Sequence, residues 1–82
     1  MDEKLEREFE ILRSFAKALA MNANEVPEQI KHTLTSDRPL PEGCPSKGSL
    51  ALMELRQLQK NLEEVEAAHV RIYQHIVGNY CN

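Results

Sequence analysis

The sequence has few of the residues that usually close a small core. It contains no tryptophan, two phenylalanines and two tyrosines, so packing must rest on leucine, isoleucine, valine and alanine. Its 82 residues are enough for one domain at most, and so small a domain often needs disulfides, a metal or a second chain. A hydrophobic content of 41% with 28% charged residues is nevertheless typical of a folded chain. We therefore expect one folded unit with a marginal core.

Cysteine is scarce and long apolar runs are missing. If a long helix separates the two cysteines, Cys44 and Cys81, they lie too far apart to form a disulfide within one chain. Free thiols are typical of a reducing compartment. No run approaches membrane-spanning length, and the acidic first ten residues lack the apolar core of a secretory signal. These features predict an intracellular, cytoplasmic protein without membrane contact.

The sequence also lacks a strong charge bias. The formal net charge is −3, and it is spread evenly over the chain. No basic face emerges that could follow a phosphate backbone, so nucleic acid is not expected as a partner.

No catalytic or cofactor motif is present. The sequence has no Gly-x-Ser-x-Gly, no phosphate-binding loop and no Cys-x-x-Cys pair. Nucleophilic catalysis therefore has no support, and we expect a protein that is not an enzyme and holds no cofactor.

The longest stretch without glycine or proline lies between Gly48 and Gly78 and predicts a helix over 49–79. Ser49 or Ser46 can cap its start. Apolar residues recur there at alternating intervals of 4 and 3, which is the repeat of a coiled coil or bundle helix. That row consists of Ala51, Leu55, Leu58, Leu62, Val65, His69, Ile72 and Ile76.

The first part of the chain predicts a second helix over 2–21. The same spacing recurs there at Leu5, Phe9, Leu12, Ala16 and Leu19.

Asn22, Asn24 and Pro27 then interrupt the pattern, and a proline inside a helix costs about 3 kcal/mol. We therefore place a break near 22–24 and a short helix over 25–34. The alternative is one kinked helix over 2–34.

Residues 35–48 are predicted to form a loop. Three prolines, two glycines and no periodicity exclude a regular element. A connection of this length is long for a small helical bundle, which makes the loop a candidate recognition segment.

Histidine and glutamate raise one alternative function. Glu66 and His69 have the Glu-x-x-His spacing with which di-iron bundles place two metal ligands on one helix face. One such pair in a helix rich in glutamate is common by chance, so a packed His69 in the apolar row is the preferred interpretation. His32 and His75 are expected at the surface.

These patterns predict an all-α fold, an antiparallel helical hairpin with a short middle helix that completes a helical bundle by oligomerisation. A homodimer is expected, or an equivalent complex with another helical protein. The expected function is that of a non-enzymatic protein–protein interaction module, either an adaptor, a small chaperone-like subunit or a regulator. The residues expected to bind the partner are Leu55, Leu58, Leu62, Val65, His69, Ile72, Ile76, Leu5, Phe9 and Leu12.

Overall fold

A computed structural model describes residues 2–81 and consists of two long helices, α1 (Glu3–Thr35) and α2 (Lys47–Tyr80). The two helices pack against each other along their length, and the described residues contain no strand. The molecule measures 60 × 19 × 17 Å. The prediction of an all-α helical hairpin is confirmed.

The start of α1 is fixed by the side chain of Asp2. Its carboxylate accepts hydrogen bonds from the backbone N–H groups of Lys4 and Leu5, at 2.9 and 3.3 Å. Two N–H groups that have no partner within the helix are thereby satisfied. Glu3 and Glu6 in the first turn add negative charge where the helix dipole favours it.

The predicted break at 22–24 and the separate short helix over 25–34 are wrong, because α1 continues to Thr35 with Pro27 inside it. The structure adopts the alternative of one helix. Val26 is only 4% exposed and holds this part of α1 against α2, whereas Pro27 points to solvent. Packing of the apolar side therefore outweighs the lost backbone hydrogen bond, as tertiary contacts commonly do for helices.

The predicted bounds of α2 differ from the observed ones by two residues at the start and one at the end. Ser46 is the N-cap, and its hydroxyl oxygen accepts a hydrogen bond from the N–H of Ser49 at 3.1 Å. Gly78 lies within the helix, which continues to Tyr80. The Asn79 side-chain amide donates to the carbonyl of His75 at 2.9 Å and satisfies a group that the helix end leaves free.

Residues 36–46 connect the helices. The chain reverses in a turn over 41–44, closed by a hydrogen bond of 3.1 Å from the N–H of Cys44 to the carbonyl of Pro41. Gly43 has a φ of +83° there, a conformation that residues with a Cβ rarely adopt.

Four polar contacts link the two arms of the hairpin in their antiparallel register. The Thr33 hydroxyl donates to Glu54 at 2.7 Å near the loop. Arg71 forms an ion pair with Glu8 at 2.5 Å towards the other end. At that end the Asp2 carboxylate also contacts the His75 ring, and it accepts a hydrogen bond of 3.3 Å from the Tyr80 hydroxyl.

The contact between Asp2 and His75 predicts a loss of stability in acid. The hydrogen bond to His75 lowers the pKa of Asp2 below its ordinary value near 4, and the two backbone hydrogen bonds act in the same direction. Above about pH 4 the carboxylate is ionised in the folded and unfolded states, so its full contribution to stability is present. As the pH falls through the lowered pKa, the unfolded chain binds a proton first and this contribution disappears.

Thermal melts of the wild type and Asp2→Asn at pH 7 and pH 3 measure this contribution. Asparagine keeps the N-cap but cannot ionise. The wild type should lose more stability on acidification than Asp2→Asn, while His75 and Tyr80 remain in both proteins. Equal losses would show that the Asp2 charge does not hold the helix ends together.

Candidate interaction surface

The two helices enclose a thin core. The buried hydrophobic residues are Leu5, Val26, Ala51 and Ala68, and two of these are alanines. Within residues 2–81 no large side chain is fully buried. A core of this kind supplies little of the apolar burial that stabilises folded domains.

The seam is the set of residues through which α1 and α2 face each other, and all of its members are buried or half-buried. On α2 it consists of two rows three residues apart. The first row holds Ala51, Leu58, Val65 and Ile72, and the second holds Glu54, Asn61, Ala68 and His75. On α1 the corresponding rows are Leu5, Leu12, Leu19 and Val26, and then Glu8, Phe15 and Asn22.

Half of the ten residues predicted to bind a partner lie in this seam, within the same chain. They are Leu5, Leu12, Leu58, Val65 and Ile72.

The other five lie beside the seam. Phe9 and Ile76 are half-buried, whereas Leu55, Leu62 and His69 are exposed. The expectation that His69 packs inside its row is therefore wrong for the single chain, because α1 covers Ala68 instead. Whether these residues bind a partner stays a prediction.

His75 also differs from the prediction that it lies at the surface. Its side chain is only 12% exposed because it occupies the second seam row and contacts Asp2. His32 is exposed as expected. The interval of three residues from Ile72, which lies in the first seam row, was the signal in the sequence that could have found His75.

The residues on one side of the seam form an apolar surface, which we call the lateral face. Two antiparallel helices are related by a twofold axis perpendicular to the plane that contains them. This axis keeps each side of the hairpin on the same side, so positions one residue after the second seam row lie together on one side in both helices. The lateral face therefore combines a row from each helix, and neither row contains an aspartate, glutamate, lysine or arginine. The rows are Phe9, Ala16, Ala23 and Ile30 on α1, and Leu55, Leu62, His69 and Ile76 on α2.

The opposite flank of the hairpin has a different character. Its α1 row is Lys4, Ile11, Ala18, Glu25 and His32, and its α2 row is Leu50, Gln57, Glu64 and Arg71. Charges of both signs are mixed there with apolar residues, as is typical of a solvated surface. The hairpin is thus apolar on one side only.

Many large apolar side chains remain exposed on α2. On the lateral face Leu55 and Leu62 are each 44% exposed, and the adjoining row adds Leu52 at 67% and Tyr73 at 63%. Gln59 and Glu66 stand between Leu52 and Tyr73 in the adjoining row, so the uncharged apolar surface is that of the lateral rows themselves.

The molecule is also more extended than a compact domain of its length. Its radius of gyration is 18.0 Å, whereas a compact domain of this length has about 12 Å. Its accessible surface is 6418 Å², whereas a folded monomer of this mass exposes about 5,000 Å². The excess of about 1,400 Å² reflects the elongated shape of the whole hairpin.

The loop contributes a separate cleft at its end of the hairpin. Arg38, Pro39, Leu40 and Pro41 line it together with the ends of both helices. Its lining mixes two leucines, Leu40 and Leu50, and two prolines with polar and charged side chains.

The alternative of a metal site at Glu66 and His69 gains no geometric support. Both side chains are exposed on α2. Among residues 2–81, no group of three or more histidine, cysteine, aspartate or glutamate side chains is placed to hold a metal ion.

Comparisons with protein-family models, with curated proteins and with solved structures found no match to this chain. Neither helix, over the described residues, contains a stretch long and apolar enough to cross a membrane.

Proposed function

We propose that this chain is a non-enzymatic helical interaction module that acts through coiled-coil or bundle contacts, as an adaptor, small chaperone-like subunit or regulator. The observation that carries the proposal is the lateral face, an uncharged apolar surface that runs along both helices and that the chain itself covers only in part. Helical proteins bind one another by burying such faces.

The thin core supports the same proposal. A hairpin whose buried apolar residues include two alanines gains stability when a further helix covers its exposed leucines. The proposal places the protein in the cytoplasm, with Cys44 and Cys81 as free thiols in a reducing compartment.

Site-specific photo-cross-linking in the native cell tests this function. A photoreactive phenylalanine analogue replaces Leu62 on the lateral face or, as the matched control, Met53, which lies outside the lateral rows and three residues after Leu50 of the opposite flank. Met53 is 64% exposed and Leu62 is 44% exposed, so accessibility alone favours reaction at Met53. We expect discrete protein adducts from position 62 and none from position 53. No adduct at position 62, or the same adducts from both positions, would contradict an interaction through this face.

A further inference from the structure

The lateral face has properties that select what covers it. It runs along both helices of a hairpin that is 60 Å long, so only a partner with helices of similar length can cover all of it. It continues directly from the first seam row, because Leu55 and Leu62 lie one helical turn beyond Ala51 and Leu58. The apolar sector of α2 is thus wide enough to face two neighbouring helices, and one chain supplies only one neighbour.

The charge pattern favours self-association. A partner of opposite charge would be selected by a charged face, but the two lateral rows carry no carboxylate, ammonium or guanidinium group. Two identical copies can therefore meet there without burying like charges. A twofold dimer also brings together two faces of equal length and equal width.

We propose that the lateral face seats a second copy of this chain, which makes a homodimeric four-helix bundle with α1 and α2 from each copy. The inference rests on the proposed function and names the partner. The lateral rows of the two copies form the inner layer between the hairpins, and each helix contacts one neighbour through the seam and another through the lateral face. Each chain exposes about 1,400 Å² more than a compact monomer of its mass, so burying the roughly 800 Å² per partner of a stable interface would bring it closer to a compact protein.

His69 allows a test in which the substitution strengthens the dimer instead of disrupting it. It is the one polar residue of the lateral rows, it is exposed in the single chain, and its ring lies 6.5 Å from that of Tyr73. His69→Leu makes the α2 row fully apolar, so it should strengthen the dimer while leaving the seam unchanged. Burial of a leucine in each copy should lower the dissociation constant by roughly tenfold or more.

The experiment is sedimentation equilibrium of the purified chain over roughly a hundredfold range of concentration, with three variants. We expect the wild type to be dimeric, Leu62→Glu to be monomeric with a dissociation constant raised about a hundredfold or more, and Met53→Glu to remain dimeric. His69→Leu should associate more tightly than the wild type. Circular dichroism of each variant at the same concentrations checks that the helices persist.

A monomeric wild type at every concentration would overturn the homodimer, as would a Met53→Glu variant that dissociates as much as Leu62→Glu. If Leu62→Glu does not fold, an unchanged dissociation constant for His69→Leu overturns the proposal instead. The cross-linking experiment separates the interaction function from the identity of the partner. Adducts from position 62 to other proteins, together with a monomeric purified chain, would leave the interaction function standing and remove the second copy.

Discussion

Replacing Pro27 with alanine should raise the free energy of unfolding by up to about 3 kcal/mol, the difference between the two residues in a helix interior. In α1 the missing N–H of Pro27 leaves the carbonyl of Ala23 without its helical hydrogen bond. Pro27 points to solvent, so the substitution removes no core contact. If Pro27 instead began a separate helix, it would stand where proline is favoured, and alanine would be neutral or slightly destabilising.

Urea denaturation at one fixed protein concentration measures this change, because association makes apparent stability depend on concentration. The matched control is Pro45→Ala in the connecting loop, which should give no gain and lower stability by at most about 1 kcal/mol, because alanine leaves the unfolded chain more freedom. A gain for Pro27→Ala no larger than that of the control would contradict a continuous α1.

The existence of both helices was predictable from the sequence because it depends on local patterns. The stretch between Gly48 and Gly78 has no breaker, and its apolar repeat is long. The predicted break near 22–24 was wrong for a different reason. Asparagine and proline propensities act locally, whereas the burial of Val26 depends on α2, which local reasoning does not include.

The sequence predicted only one of the two rows that each helix turns towards the other. The first seam row of α2 was predicted correctly, since residues such as Leu58 and Val65 belong both to the predicted apolar row and to the observed seam. The second row could be the residues four positions after the first row, such as Leu62 after Leu58, or those three positions after it, such as Asn61. Hydrophobicity favours Leu62 and its equivalents, so the sequence predicted that row. The structure places the polar row inside, and partners from α1 satisfy its charged members.

Those partners explain how polar groups are tolerated in the seam. Glu54 accepts a hydrogen bond from Thr33, and Glu8, in the second seam row of α1, pairs with Arg71. No buried side-chain nitrogen or oxygen of the described residues lacks a hydrogen-bond partner. Because unpaired buried polar groups are costly, these pairs make the inward rotation possible. The same rotation leaves the more apolar row exposed on the lateral face.

The rotation of α2 predicts that replacing Ala68 with leucine will destabilise the hairpin by about 1–3 kcal/mol, the usual cost of extra carbons in a packed core. Ala68 has no exposed surface and lies against α1. Its neighbour Ala67 is exposed, so Ala67→Leu adds the same side chain to the same helical turn and should change stability by no more than about 0.5 kcal/mol. Alanine and leucine have similar helix propensities, so the two variants differ in packing alone. Urea denaturation of both variants at one protein concentration measures the difference. If His69 rather than Ala68 faced α1, residue 68 would lie at the margin of the contact and the two variants would unfold at the same urea concentration. That result would contradict the seam, and with it the assignment of Leu55 and Leu62 to an exposed face.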